Sequence, residues 1–251
     1  MTKIMVTNLQ YFFETAKKLR GGRWVWVKDS NGENRNNILL GGTIANPNKG
    51  FGHLWPAQLM QYTPGQPMLI FRSFKLKAEA TANATTIYID GDGYSDAPEV
   101  GQYLMVAPDA TEVVSMKANA EKGDVTVTKT TYTGTYAKVT GVTYDETNQK
   151  FEVTLENKLS TAKINAGTIL VEADKAKDTE STGSAPVLCP KPNVFNEADR
   201  DMLPTEGYGF QNANYSVSGV YNKQAWIAKM QPLPKYVLAL NKSLIDGIFW
   251  I

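Results

Sequence analysis

Short segments of alternating apolar and polar residues fill the centre of the chain, between residues 75 and 173. The most regular one covers residues 151–156, where Phe151, Val153 and Leu155 alternate with two glutamates and a threonine. A period of two places alternate residues on opposite faces of a strand. One apolar and one polar face is typical of an antiparallel strand that is buried on one side. The pattern therefore predicts a half-buried antiparallel strand.

Five other central segments are rich in β-branched and aromatic residues and end at turn-forming residues, which predicts strands. They cover residues 85–89, 100–106, 124–133, 136–144 and 168–172. Short strands at a spacing of about ten residues are typical of a small barrel or sandwich. We therefore predict a mainly β fold, with a small antiparallel barrel or sandwich over residues 74–173.

A short N-terminal helix is predicted over residues 9–19, because apolar residues repeat there at helical spacing. Gly21 and Gly22 end the pattern, and the cations near that end suit the helix dipole. The repeating apolar residues are Leu9, Phe12, Phe13, Ala16 and Leu19.

The rest of the N-terminal region, residues 1–73, shows two further patterns. Residues 24–27 and 38–40 are predicted to pair as a hairpin, with Asn31-Gly32 in the turn between them. Residues 41–67 are rich in Gly, Asn and Pro and are predicted to form a long loop. Residues 68–74 (MLIFRSF) are predicted to form a short apolar strand leading into the centre.

A polar segment of small residues, 174–184, is the clearest linker candidate and predicts a domain boundary. The segment after it, 185–251, has little periodicity and is predicted to be irregular. Residues 196–200 are predicted to form a single helical turn. Residues 221–230 fit a short helix or strand, and residues 236–248 have near-helical spacing. The prolines of this segment are Pro186, Pro190, Pro192, Pro204, Pro232 and Pro234.

Length, charge and cysteine content limit the classes of function that this protein can have. The 251 residues allow one large domain or two small ones. The formal net charge of +1 gives no bulk attraction to nucleic acid or to an anionic membrane. Cys189 is the single cysteine, so an intrachain disulfide is excluded. We see no signal peptide and no apolar run of about 20 residues, and expect synthesis and folding in the cytoplasm.

Candidate chemistry is sparse. His53 is the single histidine, so a Ser-His-Asp triad, a Cys-His dyad or a zinc site would need it, and the chain has no G-x-S-x-G elbow. Residues 90–96 begin like a calcium loop, but Tyr94 and Gly101 stand where oxygen ligands are required. We therefore expect no catalytic residue, no metal and no cofactor.

Large apolar residues outside any core-forming pattern are the more informative feature. On irregular backbone such residues mark either an interface or a tail that packs on its own chain, and the sequence favours neither reading. The candidate partner contacts are Trp24, Trp26, Phe195, Trp226, Phe249, Trp250 and Ile251. Since the last residues are bulky and apolar, we expect the C-terminus to be buried, and favour a contact with another molecule.

The order of the central strands resembles a small β-barrel unit of tailed-phage virion proteins. The matching features are a Val100-Gly101 entry strand, a long hairpin over residues 136–155 and a glycine-led strand over residues 166–171. The C-terminal segment resembles head-fibre or capsid-decoration proteins of the crAss-like gut phages. That resemblance lies in residues 190–196 (PKPNVFN), 221–226 (YNKQAW) and 230–234 (MQPLP).

The resemblance implies an all-β accessory protein that binds an assembled capsid as a homo-oligomer, and it carries over no catalytic residue. We therefore expect a non-enzymatic virion structural protein on the capsid surface. Its partners would be the major capsid protein or other virion proteins, and copies of itself in a dimer or trimer. A portal or tail adaptor belongs to the same class. The rival is a carbohydrate-binding or carbohydrate-active protein, which would need Trp24, Trp26, Trp55 and Tyr94 along one exposed groove.

Overall fold

The computed structural model describes residues 12, 14–16, 18–20, 38–44, 53–109, 116–119, 124–127, 132–178, 183–196, 200–201, 216–221, 224–240 and 248–250. In these residues the chain is mainly β. The strands are β1 (Ile38–Thr43), β2 (His53–Leu54), β3 (Leu59–Gln61), β4 (Leu69–Ile70), β5 (Ser73–Lys75), β6 (Thr86–Asp90), β7 (Tyr103–Val106), β8 (Met116–Asn119), β9 (Asp124–Val127), β10 (Thr133–Asp145), β11 (Lys150–Leu155), β12 (Ile169–Glu172), β13 (Ser184–Pro186), β14 (Val194–Asn196), β15 (Arg200–Asp201), β16 (Ser216–Tyr221), β17 (Gln224–Trp226) and β18 (Ile248–Trp250).

Helical structure is short in the described residues. Residues 12, 14–16 and 18–20 form an N-terminal helix. A C-terminal α-helix covers Lys235–Leu240, and 3-10 turns cover Lys175–Lys177 and Ile227–Lys229. A mainly β chain with antiparallel sheets and a short helix near its N-terminus is therefore confirmed.

The larger sheet has seven strands, in the order β5-β12-β7-β10-β11-β6, with β13 also paired to β10. All its ladders are antiparallel. Strands β5 and β6 stand at the two ends of this order. An antiparallel bridge joins Leu76, directly after β5, to Ile89 of β6. Next to it, the Lys77 amide donates to the Tyr88 carbonyl at 2.8 Å.

Alternation along β11 fits the sequence prediction. Phe151, Val153 and Leu155 are buried, while Glu152 and Thr154 are exposed. The buried residues belong to one apolar cluster with the inward residues of the neighbouring strands, including Ile87 and Leu170. This side of the larger sheet is therefore a continuous hydrophobic core.

The N-terminal helix covers part of this core, and its residues Phe12 and Ala16 are fully or almost fully buried. The Phe12 ring packs edge-on against Tyr144 and Phe151, with centroids 5.5 and 4.8 Å away. The helix lies directly on Gly93, where an added Cβ would stand 3.2 Å from the Ala16 Cα. Gly93 also has a φ of +89°, so both its backbone and the docked helix favour glycine there.

A five-stranded sheet has the order β1-β16-β14-β3-β4, and a parallel bridge joins Ile44, after β1, to Met68, before β4. Two sequence predictions need correction here. The predicted loop 41–67 contains β2, β3 and the end of β1. The predicted strand 68–74 is two strands, β4 and β5, which belong to different sheets. Strand β1 pairs with β16, and its predicted partner, residues 24–27, lies outside the described residues.

The C-terminal region packs against the central strands. Met105 and Val171 of the larger sheet share a hydrophobic cluster with Ala185, Tyr236 and Val237. Residues on both sides of the predicted linker therefore contribute to one core.

The first part of the predicted linker is held against β10. The Tyr136 hydroxyl donates to Asp178, and the Lys175 ammonium donates to the same carboxylate at 2.6 Å. These hydrogen bonds lower the pKa of Asp178 and raise the pKa of Lys175. Residues 179–182 lie outside the described residues.

The described C-terminal residues differ from the predicted irregular segment in detail. Asn196 and Arg200 end β14 and begin β15, so the helical turn predicted from one to the other is not formed at its ends. Residues 224–229 form a strand followed by a 3-10 turn, and the near-helical spacing after Tyr236 matches the C-terminal helix up to Leu240, after which residues 241–247 lie outside the described residues. The local sequence pattern did not predict the strand at Asn196. Its side-chain amide donates a hydrogen bond to the carbonyl of the distant Trp55, at 2.9 Å.

Candidate functional site

A small C-terminal sheet carries an exposed tryptophan, Trp226. Strands β17 and β18 pair antiparallel, with Trp226 opposite Ile248 and Gln224 opposite Trp250. Ala225, between them, is fully buried, whereas Trp226 is 38% exposed. Because successive residues of a strand face opposite sides, one face of this sheet is turned to the core and the other to solvent. We call the solvent-facing side the Trp226 face.

The chain after the Trp226 face is anchored in the interior. Met230 is buried, and the buried Gln231 donates its amide to the Phe71 carbonyl at 3.3 Å. Tyr236, on the C-terminal helix, is fully buried, with its ring centroid 6.4 Å from that of Phe71 and 5.3 Å from that of Tyr132. The Trp226 face is therefore supported by the core of the chain.

Charge in this region is mainly positive. Residues 207–251 contain four lysines and one acidic residue, Asp246, while the whole chain has a net charge of +1. Lys229 directly follows the Trp226 face, and Lys235 is exposed at the start of the C-terminal helix. The rest of the chain accordingly has an excess of acidic residues.

A buried ion pair lies where the C-terminal region meets the larger sheet. Arg72 and Glu172 form two hydrogen bonds, Nε to Oε2 at 3.0 Å and Nη2 to Oε1 at 2.6 Å. The fully buried Gln102 donates a third bond to Glu172, at 3.1 Å. Burial raises the pKa of Glu172, and the charge of Arg72 opposes that rise. The bidentate geometry stabilises an interior charge that would otherwise be costly.

A second buried network holds the N-terminal helix. Arg20 is 2% exposed and donates to the Tyr94 carbonyl at 2.9 Å, to Asp96 at 3.2 Å and to Gln58 at 3.1 Å. Its guanidinium also lies 5.0 Å from the centroid of the buried Trp55 ring. Burial lowers the pKa of Arg20, and Asp96 opposes that shift.

The two networks adjoin in the chain. Asp96 accepts a hydrogen bond from the amide of Ser73, at 3.0 Å, and Ser73 follows Arg72 directly. The start of strand β5 is therefore held by two buried ion pairs. Arg72, just before the strand, pairs with Glu172, and Asp96, the partner of Arg20, binds the amide of Ser73. In the sequence, Arg20 is only one of the cations near the predicted end of the helix. Its spacing of four residues from Ala16, and of eight from Phe12, was the signal that could have placed it on the buried face.

The residues predicted to contact a partner range from exposed to fully buried in the structure, and some lie outside the described residues. Trp226 is exposed on the face described above. Phe249 and Trp250 lie in β18, which pairs with β17 of the same chain rather than ending free. Phe195 is fully buried in the main core, so the structure removes it from the set of accessible contacts. Trp24, Trp26 and Ile251 lie outside the described residues.

Other residues singled out in the sequence are also placed. His53 lies in β2, opposite Asp201. Cys189 is buried, its thiol is 3.7 Å from the Leu69 carbonyl, and burial raises its pKa, which favours the unreactive thiol form. Trp55 is 3% exposed beneath Arg20, so it cannot line an exposed sugar-binding groove as the carbohydrate hypothesis required. Tyr94 is half-buried.

Comparison with known proteins identifies no relative: no family model, no curated protein and no solved structure matches this chain. Across the described residues, no three His, Cys, Asp or Glu side chains come together as a metal site. Within the same ranges, no helix has the length and apolar character needed to cross a bilayer. Functional inference therefore depends on the surfaces and contacts of the chain itself.

Folding is expected to be independent of metal. In the loop that begins like a calcium site, the Asp92 carboxylate already accepts hydrogen bonds from the amides of Tyr94 and Ser95, at 2.8 and 3.1 Å. We expect EDTA to leave the melting temperature of the full chain unchanged in calorimetry. The Asp92→Ala variant should melt lower by the same amount with and without EDTA, because it loses the two amide hydrogen bonds and an attraction to Arg20, and none of these involves a metal. A drop of several degrees on adding EDTA to the unaltered chain would contradict this prediction.

Proposed function

We propose that this chain is a non-enzymatic structural protein of a bacteriophage virion, a head fibre or decoration protein that attaches to the capsid as a homo-oligomer. The exposed Trp226 on an anchored sheet is the observation that carries the proposal. The sequence resemblance to virion proteins gives the class of assembly. The Trp226 face gives a surface through which the chain can bind it.

Trp226 suits an interface for two reasons. Tryptophan is among the residues that contribute most to protein interfaces, because it buries a large area with few rotatable bonds. It also stands on a supported element, since its neighbours Ala225 and Met230 are buried. A backbone that is already held in place needs little further ordering on binding. Attachment through this face therefore needs no rearrangement of the core.

The charge of the region indicates the kind of surface that it meets. Residues 207–251 contain four lysines against one acidic residue, Asp246. A partner with acidic groups around an apolar centre would complement the Trp226 face and increase the rate of association. Acidic parts of a second copy and an acidic capsid surface both meet this description.

We also infer that the larger sheet closes into the small barrel that the sequence predicts. Support comes from the Leu76–Ile89 bridge between its end strands and from the apolar cluster on one side of all six main strands. A closed sheet has no free edge that could pair with other chains. Such a body is suited to display in solvent on a particle surface.

The oligomeric state of the full chain tests the proposal. We expect analytical ultracentrifugation to give a dimer or trimer that Trp226→Ala shifts strongly toward monomer. The circular dichroism of the larger sheet should stay unchanged, because Trp226 is 38% exposed and lies in a separate two-stranded sheet. Val100→Ala is the matched control, since Val100 is also a large exposed apolar residue, at 57%, outside the Trp226 face. It should leave the oligomer intact.

Deletion of residues 247–251 gives a second test, because it removes β18 and leaves β17 without a partner. Oligomerisation should fall while the circular dichroism of the central sheet persists. Loss of the central fold would mean that β18 is part of the core. A full chain that is monomeric at all concentrations, and absent from the surface of the intact particle in cryo-EM, would contradict the proposal. Density at the portal or tail would favour the adaptor alternative.

A further inference from the structure

The long strand β10 changes partners along its length, and this leaves a local gap at one end of its ladder with β7. Its first residues, Thr133 to Thr135, pair with β13. From Tyr136 onward it pairs with β7, whose last partner residue is Met105. Val106 of β7 is paired with β12 instead. The ladder between β7 and β10 therefore stops one residue short of Val106, and the two strands diverge.

A hollow of about 390 Å³ lies at this divergence, with Val106 on one side and Gly134 and Thr135 on the other. The chain between β11 and β12 forms its third wall, through Ser160, Lys163 and other residues up to Thr168. A second hollow, of about 310 Å³, adjoins it at Thr168 and extends to Asp109 and Lys235. We call the two together the split-sheet groove.

The floor and walls of the groove differ in chemistry. Leu159 and Ile164 lie beneath the floor at 2% and 8% exposure, and the half-buried Val106 adds accessible aliphatic surface to it. Thr135 and Asn165 on the walls are exposed, and Thr168 is half-buried. In the described part of the chain these three side chains have no hydrogen-bond partner, so their donors and acceptors are available to a ligand. The groove thus offers an apolar base beneath hydroxyl and amide groups.

Charge in the groove is balanced. Lys163 is paired with Glu79 at 2.6 Å, so its charge is already neutralised. In the second hollow, Lys235 faces the same space as Asp109. None of the described lining residues is aromatic, which removes the stacking surface that a nucleobase needs. Neutral ligands are favoured over anionic ones.

We propose that the split-sheet groove binds a neutral oligosaccharide. A sugar ring has hydroxyl groups around its rim and an apolar face of C–H groups, which match the walls and the floor. The shared Thr168 lets consecutive sugar units occupy both hollows. Its described lining includes no residue of β17 or β18 and none of the aromatic residues of the carbohydrate hypothesis.

Amide chemical shifts of the ¹⁵N-labelled full chain provide the test. Neutral trisaccharides of glucose, galactose, mannose and N-acetylglucosamine are titrated one at a time. At least one should shift the signals of Thr135, Asn165, Gly167 and Thr168, while those of Gly141 and Thr154 stay in place. The absence of any shift with all four sugars, or shifts confined to other surfaces, would overturn the proposal.

A paired substitution separates binding from structure. Thr168→Val keeps the shape of the side chain but removes its hydroxyl, and should raise the dissociation constant about fivefold, the effect of one lost hydrogen bond. Thr154→Val makes the same change on an exposed position of β11 and should leave binding unaltered. Equal effects of the two variants would contradict the site. Tighter binding of a sulfated trisaccharide than of its neutral parent would contradict the ligand class. Either failure leaves the oligomerisation tests of the Trp226 face unaffected.

Discussion

Replacing Arg72 by leucine is expected to lower the free energy of unfolding by about 3–5 kcal/mol at neutral pH. The variant leaves the Glu172 carboxylate 3% exposed with only Gln102 as a hydrogen-bond donor among its described contacts. An uncompensated charge in the interior is one of the few single changes that cost this much. Domains are typically stable by about 5–15 kcal/mol, so the variant should unfold at a clearly lower urea concentration.

The loss of unfolding free energy in the Arg72→Leu variant should depend on pH. Burial raises the pKa of Glu172 above its ordinary value of 4.5, and Arg72 opposes the rise. Without Arg72 the folded-state pKa rises further, so the folded variant favours the neutral acid. The penalty is therefore small below pH 4.5 and grows as pH rises through the folded-state pKa of Glu172. Urea unfolding over a pH series measures this, and a deficit of constant size would contradict the explanation.

Two control variants define the source of the effect. Arg72→Leu combined with Glu172→Leu replaces the whole pair by apolar groups and should recover much of the lost stability. Lys163→Ala removes a partner from an exposed pair, in which Lys163 is 56% and Glu79 48% exposed. It should change stability by no more than about 0.5 kcal/mol, because solvent screens such pairs.

Replacing Arg20 by methionine is expected to cost about 3 kcal/mol and to loosen the N-terminal helix first. Asp96 keeps hydrogen bonds from the Ser73 amide and from Gln58. The loss in the free energy of unfolding should therefore lie at the lower end of the range for a broken buried ion pair. The helix loses its contacts with the Tyr94 carbonyl and the Trp55 ring. Hydrogen exchange should therefore speed up at Ala16 before it does in β11.

The matched control for Arg20→Met is Lys18→Met, at an exposed position of the same helix. It should change stability by no more than about 0.5 kcal/mol. Similar losses in the two variants would show that Arg20 contributes no more than a surface cation does. Faster exchange throughout the larger sheet, at the same rate as in the helix, would show that the helix and the sheet unfold as one unit.

Local pattern predicted the elements whose burial follows a simple period. Phe151, Val153 and Leu155 alternate in sequence and are buried in the structure, because one face of β11 packs on the core. The N-terminal helix was predicted by the same logic, and its residues Phe12 and Ala16 are buried. In both cases the period of the apolar residues matches the geometry of the element.

Long-range partners could not be predicted from local pattern. Arg72 and Glu172 are 100 residues apart in sequence, and neither differs from a solvated charge until the fold brings them together. Strands β4 and β5 belong to one apolar run of the sequence but to different sheets. Arg72 lies between them and is paired with Glu172, far away in the sequence. The split-sheet groove was missed for a similar reason, since one continuous strand, β10, pairs with three others.

Pairing of β1 with β16 has a consequence for how the chain folds. These strands join residues 38–43 to residues 216–221, nearly opposite ends of the sequence, and β18 adds the last described residues to β17. Loop closure over such distances makes folding slow. A ribosome adds about 5–20 residues each second, so β1 must wait for many seconds before its partner emerges. During that interval the larger sheet, whose strands lie between residues 73 and 186, can form first, and the five-stranded sheet is completed only after synthesis is almost finished.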